Sequence, residues 1–190
     1  MRVIAGTAKG RRLKVPPGDR TRPTSDRVKE ALFSSLQPEL PGASVLDLFA
    51  GSGSLGIEAL SRGAATVTFV ERHDRTARIL EENVETCDVG GRATVVTAEV
   101  QAALGSPPGA PFDVALLDPP YGMADEELAA VLDSLAPHLA EGAVVTVERD
   151  RRSGAPRWPA RIGEERQRRY GDTVIHVGRV AAASEPEEAP

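Results

Sequence analysis

Cysteine is almost missing from this chain: its 190 residues hold one, Cys87. A lone thiol cannot close an internal disulfide, which suits a reducing cytoplasm and leaves stability to the core. Histidine is scarce as well. His73, His138 and His176 are scattered, so no metal site is expected. No apolar run approaches the ~20 residues that cross a bilayer, so no membrane is expected. The start, Met1-Arg-Val-Ile-Ala-Gly-Thr-Ala-Lys9, is basic, but no long apolar core follows and a secretory signal is not expected. What remains is 41% hydrophobic and 27% charged. That composition is globular, and the length suffices for one domain with a real core.

The net charge of −5 conceals an asymmetry. Residues 1–29 carry nine Lys/Arg (Arg2, Lys9, Arg11, Arg12, Lys14, Arg20, Arg22, Arg27, Lys29) against Asp19 and Asp26. That surplus of seven leaves −12 on the rest. A basic arm on an acidic body points to a polyanion docking at one end, although a solvated charged surface would look similar.

In chain order, residues 1–15 predict a small hairpin, with Val3 and Ile4 facing Leu13 and Val15 across Ala8-Lys-Gly10. Pro16-Pro-Gly18 begins a linker that runs to Pro23. Thr24-Ser-Asp26 offers helix caps, and Val28, Ala31, Leu32 and Leu36 then recur at helical spacing. From Ser44 strands and helices alternate. Strands are predicted over 45–49, 65–70, 93–98, 112–117 and 143–147, and helices over 54–62, 75–86, 100–104 and 125–135. Serial units of this kind imply right-handed crossovers and a parallel sheet covered on both faces. Residues 162–170 and 173–180 read as a closing hairpin across Gly171-Asp172, which adds one antiparallel strand. The expected fold class is therefore α/β: a doubly wound, seven-stranded, mostly parallel sheet with a terminal antiparallel strand and an N-terminal hairpin-plus-helix extension. Residues 181–190 are small, acidic and expected to be disordered.

One stretch organises the rest: Ser44-Val-Leu-Asp-Leu-Phe-Ala-Gly-Ser-Gly-Ser-Leu-Gly56. A buried strand runs into a glycine turn and a helix, as in nucleotide-binding βα units. Gly51-x-Gly53-x-x-Gly56 matches the dinucleotide fingerprint, and Glu71 ends the next strand where a ribose-binding acid would sit. Asp47 alters that reading. A carboxylate there would repel a pyrophosphate, but it suits a cofactor bearing an ammonium and a sulfonium, S-adenosylmethionine. Asp47 can also be an ordinary capping residue.

Open parallel sheets bind ligands beyond the carboxyl ends of their strands. Those ends carry Asp47 and Gly51–Gly53, then Glu71, then Glu99-Val100, then Asp118-Pro119-Pro120-Tyr121. Two prolines stiffen the last corner and remove two N–H donors. The Asp118 side chain and the Pro119 carbonyl are acceptors, and Tyr121 offers a ring. That set fits a planar base with an exocyclic amine: acceptors hold its hydrogens and the ring stacks on its face.

Asp47-x-Phe-Ala-Gly-Ser-Gly53 together with Asp118-Pro-Pro-Tyr121 resembles the class I S-adenosylmethionine-dependent amino-methyltransferases. Arg2-Val-Ile-Ala-Gly-x-x-Lys-Gly-Arg11 and Arg22-Pro-Thr-Ser-Asp-Arg-Val-Lys-Glu-Ala-Leu-Phe33 resemble the RsmD-type family, which methylates guanine N2 in bacterial 16S ribosomal RNA. The resemblance spans about residues 1–180. It implies a basic RNA-binding extension over 1–40 and a methyltransferase domain over 41–180. Asp47, Phe49, Ala50, Gly51, Ser52 and Gly53 would hold the methionine end of S-adenosylmethionine, with Glu71 and Arg72 at the ribose. Glu99 and Val100 would contact adenine, and Thr24 the cofactor carboxylate. Asp118, Pro119, Pro120 and Tyr121 would handle the base. Arg2, Lys9, Arg11, Arg12, Lys14, Arg22 and Arg27 would grip phosphates, giving affinity rather than sequence choice. The implied partner is 16S rRNA, within an assembling or assembled 30S particle, met by a cytoplasmic monomer.

Cys87 has no partner motif, which argues against carbon-5 methylation. Trp158 lies between prolines and covers a loop or stacks on RNA. The cluster Arg166, Arg168, Arg169 is a second RNA contact or a solvated strand edge. Three rivals remain: a DNA adenine-N6 methyltransferase, a nicotinamide dehydrogenase, and a non-catalytic RNA-binding assembly factor.

Overall fold

The computed structural model describes residues 1–16 and 26–182. Seven strands form one sheet in the order β3-β2-β1-β4-β5-β7-β6. They are β1 (Ser44–Leu48), β2 (Thr66–Glu71), β3 (Ala93–Thr97), β4 (Phe112–Leu117), β5 (Leu139–Asp150), β6 (Ile162–Tyr170) and β7 (Thr173–Val180). β1 to β5 pair in parallel. β7 alone runs the other way, antiparallel to both β5 and β6. The doubly wound α/β expectation holds.

Apolar side chains alternate between two cores, as a sheet covered on both faces requires. On one face α1 (Asp26–Leu36), α2 (Ser54–Ser61) and α3 (Asp74–Thr86) pack with Phe33, Val45, Phe69 and Leu116. On the other, α4 (Val100–Ala103) and α5 (Asp125–Leu135) cover Leu46, Leu48, Leu117 and Val147. The chain switches direction across the sheet between β1 and β4, where such folds open a crevice.

The N-terminal extension is packed on the first core. Val3, Ala8 and Leu13 are buried with α1 and α2. Its hairpin is reduced to one antiparallel bridge, Arg2 to Arg12, flanked by Val3 N to Arg11 O at 3.0 Å and Gly10 N to Val3 O at 2.9 Å. Others of its backbone groups turn to α2 and, at Lys14, to Asn83 of α3. The fully buried Glu58 carboxylate accepts from Ile4 N (2.8 Å) and Ala5 N (3.0 Å), and Ser61 O accepts from Thr7 N (2.8 Å). Gly6 lies so near that a Cβ would stand 1.8 Å from Ser61 O.

Lys29 does not belong to the basic surface. It is fully buried, 3.6 Å from Glu58 Oε2, and donates to Arg2 O (2.6 Å) and Ser54 Oγ (3.2 Å). Desolvation lowers its pKa, with Glu58 opposing. β5 is twelve residues long rather than the five expected. Its antiparallel partner β7 extends pairing to Asp150, beyond the parallel register with β4 that ends at Val147. Trp158 packs against the second core, over Gly178. Cys87 is buried at the end of α3.

Arg22, Thr24, the linker and residues 183–190 lie outside the described residues. No helix among the described residues is long and apolar enough to cross a membrane.

Candidate active site

The site begins where β1 stops. Phe49 takes a left-handed φ of +64°, which non-glycine residues adopt rarely and at a cost. Gly51 follows at +55° and Gly53, the residue that opens α2, at +81°. Ala50 N donates to Val70 O (2.9 Å) and Gly53 N to Ala50 O (2.8 Å), which closes a tight turn against β2. A Cβ at Gly51 would meet nothing, so its backbone is open to a ligand. At Gly56 a Cβ would stand 2.2 Å from Phe69 Cε1. The first glycine serves the turn and the last lets α2 lie directly on the sheet.

Two carboxylates brace this turn from beneath. Glu71 Oε2 accepts from Gly51 N (3.0 Å) and Oε1 from His73 N (2.8 Å). Asp47 Oδ2 accepts from Gly56 N (2.8 Å). Asp47 is 1% exposed. Burial pushes its pKa up to about 7, the Gly56 hydrogen bond opposes this, and the charge of Glu71 adds to it. A carboxylate in that state gains most from an adjacent cation.

A cavity of about 450 Å³ opens above the strand ends, an ordinary volume for a small-molecule site. Asp47, Phe49, Ala50, Gly51, Ser52, Glu71, Arg72, Glu99 and Val100 line one side of it. Asp118, Pro119, Pro120 and Tyr121 line the other. Asp47 and Asp118 therefore open onto the same space, although one is buried and the other half-buried. Gly53 lies behind this wall, its Cα side facing Leu80 and Ile57. Tyr121 is 61% exposed at the mouth.

Of the cations expected to grip phosphate, Arg2, Lys9, Arg11, Arg12, Lys14 and Arg27 are all exposed. Arg2 pairs with Asp26 (3.3 Å) and Lys14 with Glu82 (2.7 Å). Lys9, Arg11, Arg12 and Arg27 carry no ion pair among the described residues. Met1, Val15 and Pro16 bring the extension to the cavity itself.

Sequence reasoning missed the fifth strand's contribution. Glu148, Arg149 and Asp150 line the cavity, as do Glu127 of α5 and Ser153. Buried Arg149 pairs through Nη2 with Asp125 at the start of α5, which ties down the far end of the proline corner. The strand-end rule that found Asp47, Glu71, Glu99 and Asp118 would have found these as well, had the strand's true length been legible.

Among the described residues no group of three potential metal ligands gathers. The donor set instead fits S-adenosylmethionine. A buried acid with a raised pKa suits its cationic end, and Glu71 has lone pairs left for ribose hydroxyls. Glu99 and Val100 offer a polar and an apolar edge for adenine.

Residues 1–179 match a family model described as "Conserved hypothetical protein 95". The chain is 35% identical over 189 residues to ribosomal RNA small subunit methyltransferase D of Escherichia coli (strain K12), covering 98% of this chain and 93% of that one. It is 37% identical over 181 residues to YlbH, an rRNA methyltransferase candidate of Bacillus subtilis (strain 168), covering 93% and 97%. The solved structure of the Escherichia coli methyltransferase candidate yhhF matches with a TM-score of 0.83 at 34% identity, over 96% of this chain and 98% of that one.

Proposed function

The chain belongs to the Conserved hypothetical protein 95 family, and on that premise we propose that it methylates N2 of a guanine in small-subunit ribosomal RNA. Ribosomal RNA methylation from S-adenosylmethionine is what its relatives support. The choice of guanine N2 goes further. It rests on the RsmD-type resemblance carried by Arg2–Arg11 and Arg22–Phe33, with which the acceptor-rich corner at Asp118-Pro-Pro-Tyr121 is compatible. The observation that carries the reading is the single cavity shared by Asp47 and Asp118.

The donor, when bound, supplies an electrophilic methyl group. The rest is positioning and electrostatics by the chain's own residues. Asp47 and the turn from Phe49 to Ser52 would hold the cationic end, Glu71 and Arg72 the ribose, and Glu99 and Val100 the adenine. Asp118 and the Pro119 carbonyl accept the two amine hydrogens of the target base. This draws the nitrogen lone pair out of conjugation and aims it at the donor. Pro119 and Pro120 keep that geometry stiff, and Tyr121 stacks on the base. A paired guanine must first leave its helix, whereas one splayed in a loop costs less to present. Lys9, Arg11, Arg12 and Arg27 then hold the backbone. The protein acts in the cytoplasm, as a monomer, on an assembling or assembled particle.

The test offers labelled S-adenosylmethionine and the full chain to unmodified small-subunit particles and to stripped rRNA, then maps the modified base. Label on one guanine N2 is the expected result. Label on an adenine N6, or none on either substrate, overturns the reading.

A further inference from the structure

A second run of cations faces the first across the site. Residues 149–172 hold eight arginines against Asp150, Glu164, Glu165 and Asp172. Together with residues 1–29 this segment holds 17 of the chain's 23 Lys/Arg, and everything outside the two segments sums to −16. More than a hundred residues separate them in sequence, yet both reach one cavity. Met1, Val15 and Pro16 line it from the first, and Arg149, Asp150 and Ser153 from the second.

Residues 1–16 and the turn after β5 flank the cavity from opposite halves of the sheet, while Arg168 lies beside Leu32 and Ser35 of α1. The first segment is fastened to α2 and α3, through Glu58, Ser61, Glu82 and Asn83. Those helices cover the β1–β2–β3 half of the sheet. The second leaves the end of β5 and runs through the β6–β7 hairpin on the outer half. β4, which carries the proline corner, lies between.

Several of the eight arginines have structural duties. Arg149 holds Asp125, Arg161 donates to Ala136 O (2.9 Å), and Arg166 pairs with Glu165 (3.2 Å). Arg151, Arg152 and Arg168 differ: all three are exposed, and among the described residues their side chains have no partner. Arg151 is fixed near the hairpin turn by its own N–H to Asp172 O (2.8 Å). Arg152 N donates to Asp150 Oδ1 (2.8 Å), which holds its backbone in a tight turn next to cavity-lining Ser153. Arg168 sits in the cross-strand row Glu148–Ile175–Arg168. Two strand spacings place it about 10 Å from the cavity-lining Glu148. The cluster Arg166, Arg168, Arg169 is thus divided. Arg166 is paired locally, Arg169 Nε is turned to Gly171 O (3.1 Å), and Arg168 remains available.

We propose that Arg151, Arg152 and Arg168 form a second phosphate grip, holding the RNA backbone on the opposite side of the target nucleotide from the N-terminal arm. The inference rests on an RNA substrate, as proposed above. A strand held on both flanks presents the base between them at the proline corner. Contacts on one flank alone would let it pivot. The charge complementarity favours a polyphosphate backbone over an acidic protein, because the three exposed arginines sit at separate places, two in the turn after β5 and one on β6.

The experiment compares the full chain with the triple variant Arg151→Gln/Arg152→Gln/Arg168→Gln. Binding to stripped small-subunit rRNA is measured across a salt series, beside KM and kcat. Each lost phosphate contact lowers the slope of log K against log salt by roughly 0.7 to 0.9, so a fall of about two to three is expected. The KM for RNA should rise roughly tenfold, with kcat and cofactor affinity unchanged. An unchanged slope overturns the grip. A loss confined to whole particles, with rRNA binding intact, also overturns it and assigns the surface to a ribosomal protein. Should the triple variant lose its melting transition, Arg152→Gln alone carries the test, with a fall of about one or none. If the unaltered chain binds rRNA but transfers no label, the methylation reading fails and the slope still decides the grip.

Discussion

The two halves of the cavity are built differently. On the β1–β2 side two buried carboxylates are braced by backbone amides: Asp47 by Gly56 N, Glu71 by Gly51 N and His73 N. The turn there is strained at Phe49 and closed by backbone bonds. On the β4–β5 side Asp118 is half-buried and Tyr121 stands in solvent. One half is closed and braced and the other faces solvent; in the proposed reaction the first receives the cofactor and the second a base attached to something large. A small cofactor can be met by a finished pocket. A nucleotide on a polymer needs an approach path, so the corner is stiffened by prolines rather than enclosed.

Mutations can test that division, from the largest expected effect downward. Asp118→Ala should cut kcat by about 10²- to 10⁴-fold while cofactor affinity, read by calorimetry, stays within twofold. Equal losses in both would erase the distinction between the halves. Asp47→Asn keeps the acceptor for Gly56 N and removes the charge. Cofactor affinity should fall by roughly ten- to a hundredfold at pH 8, with little change in kcat at saturation.

The same variant sharpens the comparison through pH. The folded-state pKa of Asp47 is raised to about 7. Its protonated form therefore favours folding below the ordinary carboxylate range, and that contribution is lost as pH rises towards and through 7. Without cofactor, Asp47→Asn should melt higher than the parent chain at pH 8, and the gap should close by pH 5. A cationic ligand favours the ionised form, so cofactor affinity should weaken as pH falls below about 7 and proton release should accompany binding there. Calorimetry in buffers of different ionisation enthalpy reads this directly. A flat profile, identical in the variant, would mean that Asp47 does not sense the cation.

On the open side the effects should be smaller. Tyr121→Ala removes a stacking platform, and about 1–3 kcal/mol per base predicts a KM for RNA roughly tenfold higher. Tyr121→Phe keeps the ring and should change KM by no more than about twofold. A larger loss with Phe would assign the hydroxyl a role of its own.

Much of this was legible in the sequence, for physical reasons. β4 and α5 fall on the expected boundaries because Phe112–Leu117 is a clean apolar run and Asp125–Leu135 an amphipathic one. The glycine turn was legible because glycine suits the left-handed φ of Gly51 and Gly53 and the close contact of Gly56 with Phe69, whereas nothing in the sequence marked Phe49 as left-handed. Lys29 was not. A lysine inside an apolar stripe looks like a solvated head on a long stem, and only Glu58, on another helix, makes burial tolerable. The ends of β5 were hidden for a similar reason. Glu148-Arg149-Asp150 is a charged run without an apolar pattern, and its strand geometry comes from distant β7, while the first end is set by Leu139 pairing with Phe112 of β4. That hid Arg149 and its neighbours from the strand-end inventory.

The Gly6 contact carries one more consequence. With its backbone pressed on Ser61 and two of its amides capped by Glu58, the arm cannot swing out to search for a partner. The entropy of ordering it was spent when the chain folded. In the proposed complex its exposed arginines and lysines would meet an incoming polymer as a fixed template, and a single methyl group added at Gly6 would turn that template into a tether.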